Sequence, residues 1–181
     1  ADIDSLASYG YNSVRLPMHY NLFTLPIQQE PNIGENTWIE TGFILVDNLL
    51  EWCEENNMYL ILDLHAAPGG QGFGSNINDY DPDLPSLWES EENKNKTIAL
   101  WGQIADRYKD EPWIGGYDLL NETHWNLGEN ELRDFYINCE LKPFIIIGKS
   151  NLKTITVRIL TIFNIYTIVS ILPTLIPSLK I

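Results

Sequence analysis

The stretch Leu60-Ile61-Leu62-Asp63-Leu64-His65 decides the fold. In a β-strand successive side chains point to opposite faces, so the three leucines share one face while Ile61, Asp63 and His65 share the other. An open sheet covered by helices on both sides would bury these polar groups in an apolar layer, at a cost of several kcal/mol each. The interior of a (β/α)8 barrel accommodates them, because its active sites lie at the C-terminal ends of the strands. The stretch therefore favours a barrel over a doubly wound sheet.

Strand and helix patterns alternate on both sides of this strand. Residues 11–17 and 114–121 are predicted strands, and apolar residues at spacings of three and four predict the helices. The predicted helices cover residues up to 9, about 39–53, about 98–108 and 129–139. Alternation of this kind implies a parallel sheet with helices outside it. We therefore predict an α/β fold for residues 1–140, a partial (β/α)8 barrel of about half the strands.

The last 41 residues differ in composition from the rest of the chain. All 25 acidic residues lie between Asp2 and Glu140, whereas residues 141–181 hold five basic residues and no acidic one. Three interpretations remain open for this Ile-rich tail: a membrane span, buried strands of the same fold, or translated intron or out-of-frame sequence. The run 159–172 is short for a membrane span and contains Asn164. We favour the third interpretation and treat 141–181 as a segment unrelated to the barrel.

The net charge of −14 restricts the possible partners. Nucleic acids and anionic membrane surfaces attract basic patches, so we expect no nucleic-acid partner and no membrane surface partner. A protein that is acidic and 12% aromatic suits a neutral ligand such as carbohydrate. The length fits a single domain, and we expect a monomer.

Metal and cofactor motifs are not recognisable in the sequence. Cys53 and Cys139 lack metal spacing and are predicted to be buried thiols. The three histidines lack zinc spacing, and the acidic loop 79–83 lacks the glycine and distal glutamate of a calcium loop. The glycine-rich segment 69–74 is not followed at once by a helix, as a phosphate-binding loop would be. We expect neither a metal nor a cofactor.

Polar residues stand at the C-terminal ends of three successive predicted strands. Arg15 follows the first, His65 the second, and Asn121-Glu122 the third. A single arginine or histidine at such a position is commonly structural. Three at the same end of one barrel indicate a site.

Three motifs around these residues resemble glycoside hydrolase family 5, the cellulase family. They are Asn12-Ser13-Val14-Arg15-Leu16-Pro17, Leu62-Asp63-Leu64-His65-Ala66-Ala67-Pro68-Gly69-Gly70-Gln71 and Gly116-Tyr117-Asp118-Leu119-Leu120-Asn121-Glu122. They occur in the order of that family's second, third and fourth barrel strands. The resemblance covers about residues 1–139 and none of the tail.

The resemblance implies a role for each strand-end residue. Glu122 corresponds to the general acid/base, and Asn121 to the residue that hydrogen-bonds the sugar 2-hydroxyl. His65 corresponds to a histidine that lines the subsite of the reacting sugar, and Arg15 to the arginine that pairs with the nucleophilic carboxylate. A guanidinium keeps a neighbouring carboxylate ionised, and contact with the 2-hydroxyl strengthens in an oxocarbenium-like transition state.

The sequence departs from the family pattern in ways that affect the chemistry. Thr123 stands where the family has proline, a mild change that spares the carboxylate. The family's nucleophilic glutamate follows the seventh strand, and the chain has no acidic residue after Glu140. Asp63 and Asp118 could be considered as substitutes, but we interpret both as hydrogen-bonded residues of the barrel interior. We therefore expect this chain to lack the nucleophile and to be inactive alone.

Aromatic residues in the loops after the strands are candidate sugar platforms. They are Tyr20, Phe73, Tyr80, Trp88 and Trp125. Loop packing is the alternative for each of them. Trp125, three residues beyond Glu122, is the first candidate for substrate binding, and Tyr20 and Trp88 are the next.

These observations lead to one functional hypothesis and two alternatives. The hypothesis is retaining hydrolysis of β-glycosidic bonds in a polysaccharide, with β-1,4-glucan as the first choice. Such an enzyme is expected to be extracellular or periplasmic, although no signal peptide is recognisable in the chain. The alternatives are a non-catalytic carbohydrate-binding remnant and a membrane protein anchored by the tail.

Overall fold

The computed structural model describes residues 2–75 and 78–146. Helices and strands alternate along this part of the chain, as the sequence predicts. Two 3₁₀ turns, Tyr20–Leu22 and Ile27–Gln29, lie between β1 and α2. The elements are α1 (Asp2–Ser8), β1 (Ser13–His19), α2 (Glu40–Glu55), β2 (Tyr59–Ala66), α3 (Glu91–Tyr108), β3 (Ile114–Asp118) and α4 (Glu129–Ile146).

Two strand ends differ from the prediction. Strand β1 continues through Pro17 to His19, with Pro17 in register with Asp63 of β2. Strand β3 ends at Asp118 rather than at Asn121. The residues between Asp118 and Asn121 leave the ladder, although the Asn121 N–H still donates to Leu64 O at 3.1 Å.

The three strands form a parallel sheet in the order β1-β2-β3. Asp63 is in register with Pro17 on one side and Asp118 on the other, and Arg15 pairs with Ile61. These residues therefore share one face of the sheet, as the sequence predicts. Leu60, Leu62 and Leu64 of the opposite face are fully buried.

Helices α2 and α3 cover the leucine face. The core includes Phe43, Val46 and Leu50 of α2, and Trp101 and Ile104 of α3. The spacing of these residues is the helical spacing seen in the sequence. Because the helices cover this face, the polar residues of β1, β2 and β3 lie on the other one.

A buried lysine attaches the connection between β1 and α2 to helix α3. The ammonium of Lys96 donates to Thr24 Oγ1 at 3.0 Å, to Glu30 Oε1 at 2.5 Å and to Asn36 Oδ1 at 3.1 Å. The side chains of Lys96 and Glu30 are both 3% exposed. Glu30 also accepts from the Thr37 backbone N–H. The long connection is therefore held at several points by a buried ion pair.

The predictions for the tail fall mostly outside the described residues. Helix α4 continues to Ile146, and residues 147–181 lie beyond the part that the structure describes. The three interpretations of the tail therefore stay predictions. None of the helices within residues 2–75 and 78–146 has the length and apolar character needed to cross a membrane. The thiols of Cys53 and Cys139 are both buried, as predicted.

Candidate active site

Arg15 connects the ends of all three strands. Its Nη2 donates to Asp118 Oδ2 at 2.8 Å and to Asn121 Oδ1 at 2.8 Å, and its Nε lies 3.3 Å from the same Asp118 oxygen. Nη2 is also 3.1 Å from Asp63 Oδ2. Among the described residues, the carboxylates beside Arg15 are therefore aspartates of β2 and β3, whereas the resemblance implies that Arg15 pairs with the nucleophile.

His65 lies between Asp63 and Asn121. Its Nδ1 is 2.8 Å from Asp63 Oδ2, and its Nε2 is 3.3 Å from Asn121 Nδ2. Together with Arg15, these residues form a closed ring of polar contacts at the C-terminal end of the sheet, made of hydrogen bonds and of the ion pair between Arg15 and Asp63. The structure thus brings three predicted site residues, Arg15, His65 and Asn121, into direct contact.

The two aspartates of the site are almost completely buried. Burial raises the pKa of Asp63, against the hydrogen bond from His65 and the charge of Arg15, both of which lower it. Burial likewise raises the pKa of Asp118, and the hydrogen bond from Arg15 opposes that change. The Arg15 guanidinium lies beside both carboxylates and therefore offsets part of the desolvation cost of each.

Glu122 projects from the loop that follows Asn121 and is exposed. Its φ of 41° is in the left-handed region, where a side chain is strained. The neighbouring backbone is fixed, since Asn121 N–H donates to Leu64 O and His124 N–H donates to Gln71 O. The carboxylate-bearing residue is thus exposed and directly follows Asn121 in the chain.

Gln71 is a site residue to which the sequence analysis assigned no role. It is 1% exposed. Its Nε2 donates to the carbonyls of His65 and Asn121, both at 2.8 Å, and its Oε1 accepts from the Ala67 N–H at 3.1 Å. Gln71 therefore fixes the loops after β2 and β3 relative to each other. Its only sequence signal was its place at the end of the second motif.

Three of the predicted sugar platforms form one aromatic cluster. Phe73 stacks on Trp125 with ring centroids 4.1 Å apart and an interplanar angle of 18°. Tyr80 lies edge-on to both rings. Phe73 covers one face of Trp125 and is itself 50% exposed. The most open ring of the cluster thus belongs to Phe73, with Trp125 behind it.

Tyr20 and Trp88 were predicted to bind substrate, but neither side chain presents a ring face to solvent. They are 3% and 5% exposed, respectively. The indole N–H of Trp88 donates to Gln71 O at 3.0 Å, and the Trp88 ring packs edge-on against Phe135. Both side chains belong to the hydrophobic core, so the alternative of loop packing describes them better.

Residues suited to a metal ion do not cluster in the described ranges. No group of three or more His, Cys, Asp or Glu side chains there is placed to hold one. The polar residues of the site instead contact one another.

The parallel strands, the helices on one side and the polar ring at the strand ends define part of a (β/α)8 barrel with its site at the C-terminal end. Comparison with known proteins gives a family. Residues 1–139 match the profile described as Cellulase (glycosyl hydrolase family 5). The chain belongs to glycosyl hydrolase family 5.

Two curated relatives illustrate the similarity. The chain is 34% identical over 122 residues to a beta-xylosidase of Phanerodontia chrysosporium. This alignment covers 67% of this chain and 24% of the relative. The chain is 33% identical over 131 residues to endoglucanase C of Acetivibrio thermocellus, covering 69% of this chain and 34% of the relative. The chain therefore spans about a quarter to a third of the length of these two relatives.

A solved structure supports the fold. An endoglucanase of the hyperthermophile Thermotoga maritima matches with a TM-score of 0.60 and 25% identity. The match covers 82% of this chain and 40% of that protein. The fold predicted from the sequence, a partial (β/α)8 barrel, is confirmed.

Proposed function

We propose that this site is the acid/base half of a retaining β-glycosidase that acts on polysaccharide. The observation that carries the proposal is the ring of contacts among Arg15, Asp63, His65 and Asn121, together with the exposed Glu122 that directly follows Asn121. It combines a proton donor with fixed hydrogen-bonding groups at the mouth of a barrel, where such enzymes hold the sugar.

Each residue has a distinct role in the proposed reaction. Glu122 protonates the leaving glycosidic oxygen and later removes a proton from the attacking water. Asn121 donates an amide N–H to the sugar 2-hydroxyl, and His65 contacts the reacting sugar. Arg15 donates to the described residues from Nε and Nη2, and we assign Nη1 to the nucleophilic carboxylate.

The proposed mechanism requires a second carboxylate about 5–5.5 Å from the first. Asp63 and Asp118 do not suit this role, because both carboxylates are almost completely buried at the strand ends. The sequence contains no acidic residue after Glu140. We therefore propose that this chain alone does not turn over substrate and that the nucleophile lies outside it.

The proposed substrate is a β-glucan, with β-1,4-glucan first. The relatives' names support the class but differ in the bond: an endoglucanase, a beta-xylosidase and, at 28% identity, a probable glucan 1,3-beta-glucosidase of Emericella nidulans. We also propose an extracellular or periplasmic location for the enzyme, since polymeric glucan is met outside the cell. Fractionation of the source organism tests that location.

A non-catalytic carbohydrate-binding function is the second candidate. The half-exposed Phe73 ring, supported from behind by Trp125, favours it. Aromatic faces suit the apolar C–H faces of pyranose rings. This function needs the aromatic cluster but not Glu122, so substitutions distinguish the two candidates.

Chemical rescue tests the main proposal. The 181-residue chain is incubated with an aryl β-cellobioside, with and without sodium azide, and the released phenol and the sugar product are measured. An external anion can replace a missing nucleophile, so azide is expected to give α-cellobiosyl azide. Glu122→Gln is expected to lower this rescued rate by roughly 100-fold or more, because it removes the general acid.

Three outcomes separate the possibilities. Release of phenol without azide would show that a second carboxylate exists in this chain and would refute the proposed incompleteness. Binding of cello-oligosaccharide that is lost in Phe73→Ala, with no azide rescue, would favour the non-catalytic candidate. Neither binding nor rescue would contradict both.

A further inference from the structure

The orientation of the Asn121 amide follows from Arg15. A guanidinium has only N–H donors, so the atom of Asn121 that lies 2.8 Å from Arg15 Nη2 must be the carbonyl Oδ1. The amide nitrogen Nδ2 therefore faces Nε2 of His65. Asn121 is only 7% exposed, and its side chain is held at both ends.

The tautomer of His65 follows from the same chain of contacts. Because the Asn121 amide nitrogen is a donor, Nε2 of His65 must accept, and the ring proton must be on Nδ1. Nδ1 lies 2.8 Å from Asp63 Oδ2, the distance expected for an N–H bonded to a carboxylate. The opposite tautomer would place two donors together at Asn121 and two acceptors together at Asp63.

Asp63 is well placed to impose this choice. It is fully buried, so its hydrogen bonds act in a medium of low dielectric constant. Its Oδ2 is hydrogen-bonded to His65 and forms an ion pair with Arg15 at 3.1 Å, while no described residue donates to Oδ1. Both contacts of Asp63 thus converge on one oxygen, and the carboxylate holds the imidazole ring from two residues earlier in β2.

We infer that Asp63 is a positioning residue that selects the Nδ1–H tautomer of His65 and thereby holds the Asn121 amide with its N–H available to the sugar 2-hydroxyl. The first part rests only on the contacts of Asp63, His65 and Asn121. The second part rests on the proposed function, because it uses the 2-hydroxyl contact assigned to Asn121. Asp63 acts through His65 and does not touch the substrate.

His19 supplies an internal contrast at the end of the neighbouring strand. Its Nδ1 accepts from the Asn21 backbone N–H at 3.2 Å, so its ring proton is on Nε2, which faces Asp79. The chain contains three histidines. Two of them, at adjacent strand ends, are thus expected to hold opposite tautomers.

Long-range ¹H–¹⁵N spectra of the histidine rings of the full chain test the tautomers directly. In the unsubstituted protein at neutral pH, His65 is expected to show the nitrogen shifts of the Nδ1–H form and His19 those of the Nε2–H form. Loss of individual histidine signals in His19→Gln and His65→Gln assigns them. A His65 spectrum of the Nε2–H form, or of a free mixture of tautomers, would overturn the inference.

Two substitutions then test Asp63 itself. Asp63→Ala removes the acceptor, so His65 is expected to shift toward the Nε2–H form while the His19 signals stay unchanged. Asp63→Asn keeps a carbonyl acceptor and is expected to retain the Nδ1–H form, with the ring proton resonance moved upfield by loss of the carboxylate. If the alanine chain fails to fold, the asparagine variant decides, because an unmoved ring proton would show that it is not bonded to residue 63.

These spectra are independent of catalysis and sugar binding. A His65 in the expected tautomer with no azide rescue would contradict the proposed function but leave the role of Asp63 toward His65 intact. Azide rescue together with a His65 in the other tautomer would leave the proposed function standing and refute the role of Asp63. Asn121→Ala is the matched variant on the other side of the ring, and it is expected to leave the Nδ1–H form in place.

Discussion

The guanidinium of Arg15 approaches a single oxygen of Asp118 with two nitrogens, Nη2 at 2.8 Å and Nε at 3.3 Å. The Asp118 side chain is 6% exposed and that of Asp63, the second carboxylate beside Arg15, is fully buried. Arg15 thus has a large role in stability as well as its proposed role in the site. Removal of one partner of a buried ion pair leaves an uncompensated charge.

Arg15→Met is expected to lower the free energy of unfolding by about 3–5 kcal/mol, because it leaves two buried carboxylates without their cation. Urea unfolding followed by circular dichroism measures the change. Arg133→Met is the control, since Arg133 is 65% exposed and pairs with the equally exposed Asp134. A loss no larger for Arg15→Met than for the control would contradict this account.

Lys96→Met is expected to lower the free energy of unfolding by about 3–5 kcal/mol, because it leaves the buried Glu30 unpaired. Lys94→Met, on the same helix, is expected to change it by less than about 1 kcal/mol, since its partner Glu91 is 80% exposed. Addition of Glu30→Gln to the Lys96 variant should restore part of the loss. Equal effects of the two lysine substitutions would argue against a buried pair.

The backbone strain at Glu122 is open to a test with two small residues. Glu122→Gly is expected to be more stable than Glu122→Ala by about 1 kcal/mol, since glycine adopts a positive φ without steric cost. The same pair at Glu131, within α4, should show the opposite order because glycine disfavours a helix. Thermal unfolding of the four variants gives the comparison, and an alanine advantage at both positions would rule out the strain.

Part of the free energy of unfolding depends on pH through Asp47. The hydrogen bond from Arg107 lowers the pKa of Asp47, against a smaller opposing effect of burial. A carboxyl whose pKa is lower in the folded state stabilises the fold above the unfolded pKa of about 3.9, and this contribution disappears as the pH falls through the folded pKa. Asp47→Asn should therefore lower the melting temperature at pH 6. Between pH 4 and pH 2 the melting temperature of this variant should fall by less than that of the unsubstituted protein.

The control for Asp47 is Asp106→Asn, at an exposed position that pairs with Lys109 three residues away in sequence. It is expected to follow the unsubstituted protein over the same pH range, because exposed ion pairs contribute little. If the melting temperatures of both variants fell equally between pH 4 and pH 2, the acid-induced decrease could not be attributed to the contact between Asp47 and Arg107.

Much of the fold could be predicted because its signals are local. The alternation of leucine with Ile61, Asp63 and His65 separates the two faces of a strand within six residues, and the helix faces repeat every three or four residues. Strand β1 was predicted too short, because a proline removes only one N–H donor and does not by itself end the strand. Whether a strand tolerates the loss of that donor depends on its register with other strands, which a single segment does not reveal.

The site was predictable in its composition but not in its contacts. The positions of Arg15, His65, Asn121 and Glu122 at strand ends followed from the strands. The partners of Arg15 did not, because Asp118 is 103 residues away and meets it only through the register of three strands. The burial of Trp88 could not be predicted for the same reason, since it depends on packing against Phe135 and on a hydrogen bond to the Gln71 carbonyl.

The bridge made by Gln71 has a consequence for the timing of local opening. The side-chain amide of Gln71 accepts from the Ala67 N–H and donates to the carbonyls of His65 and Asn121. The backbone carbonyl of Gln71 accepts from the Trp88 indole N–H and the His124 N–H. Release of one of these contacts weakens the others, so the protons of Ala67, His124 and the Trp88 indole should exchange with deuterium at similar rates. The loops after β2 and β3 would then open as one cooperative unit.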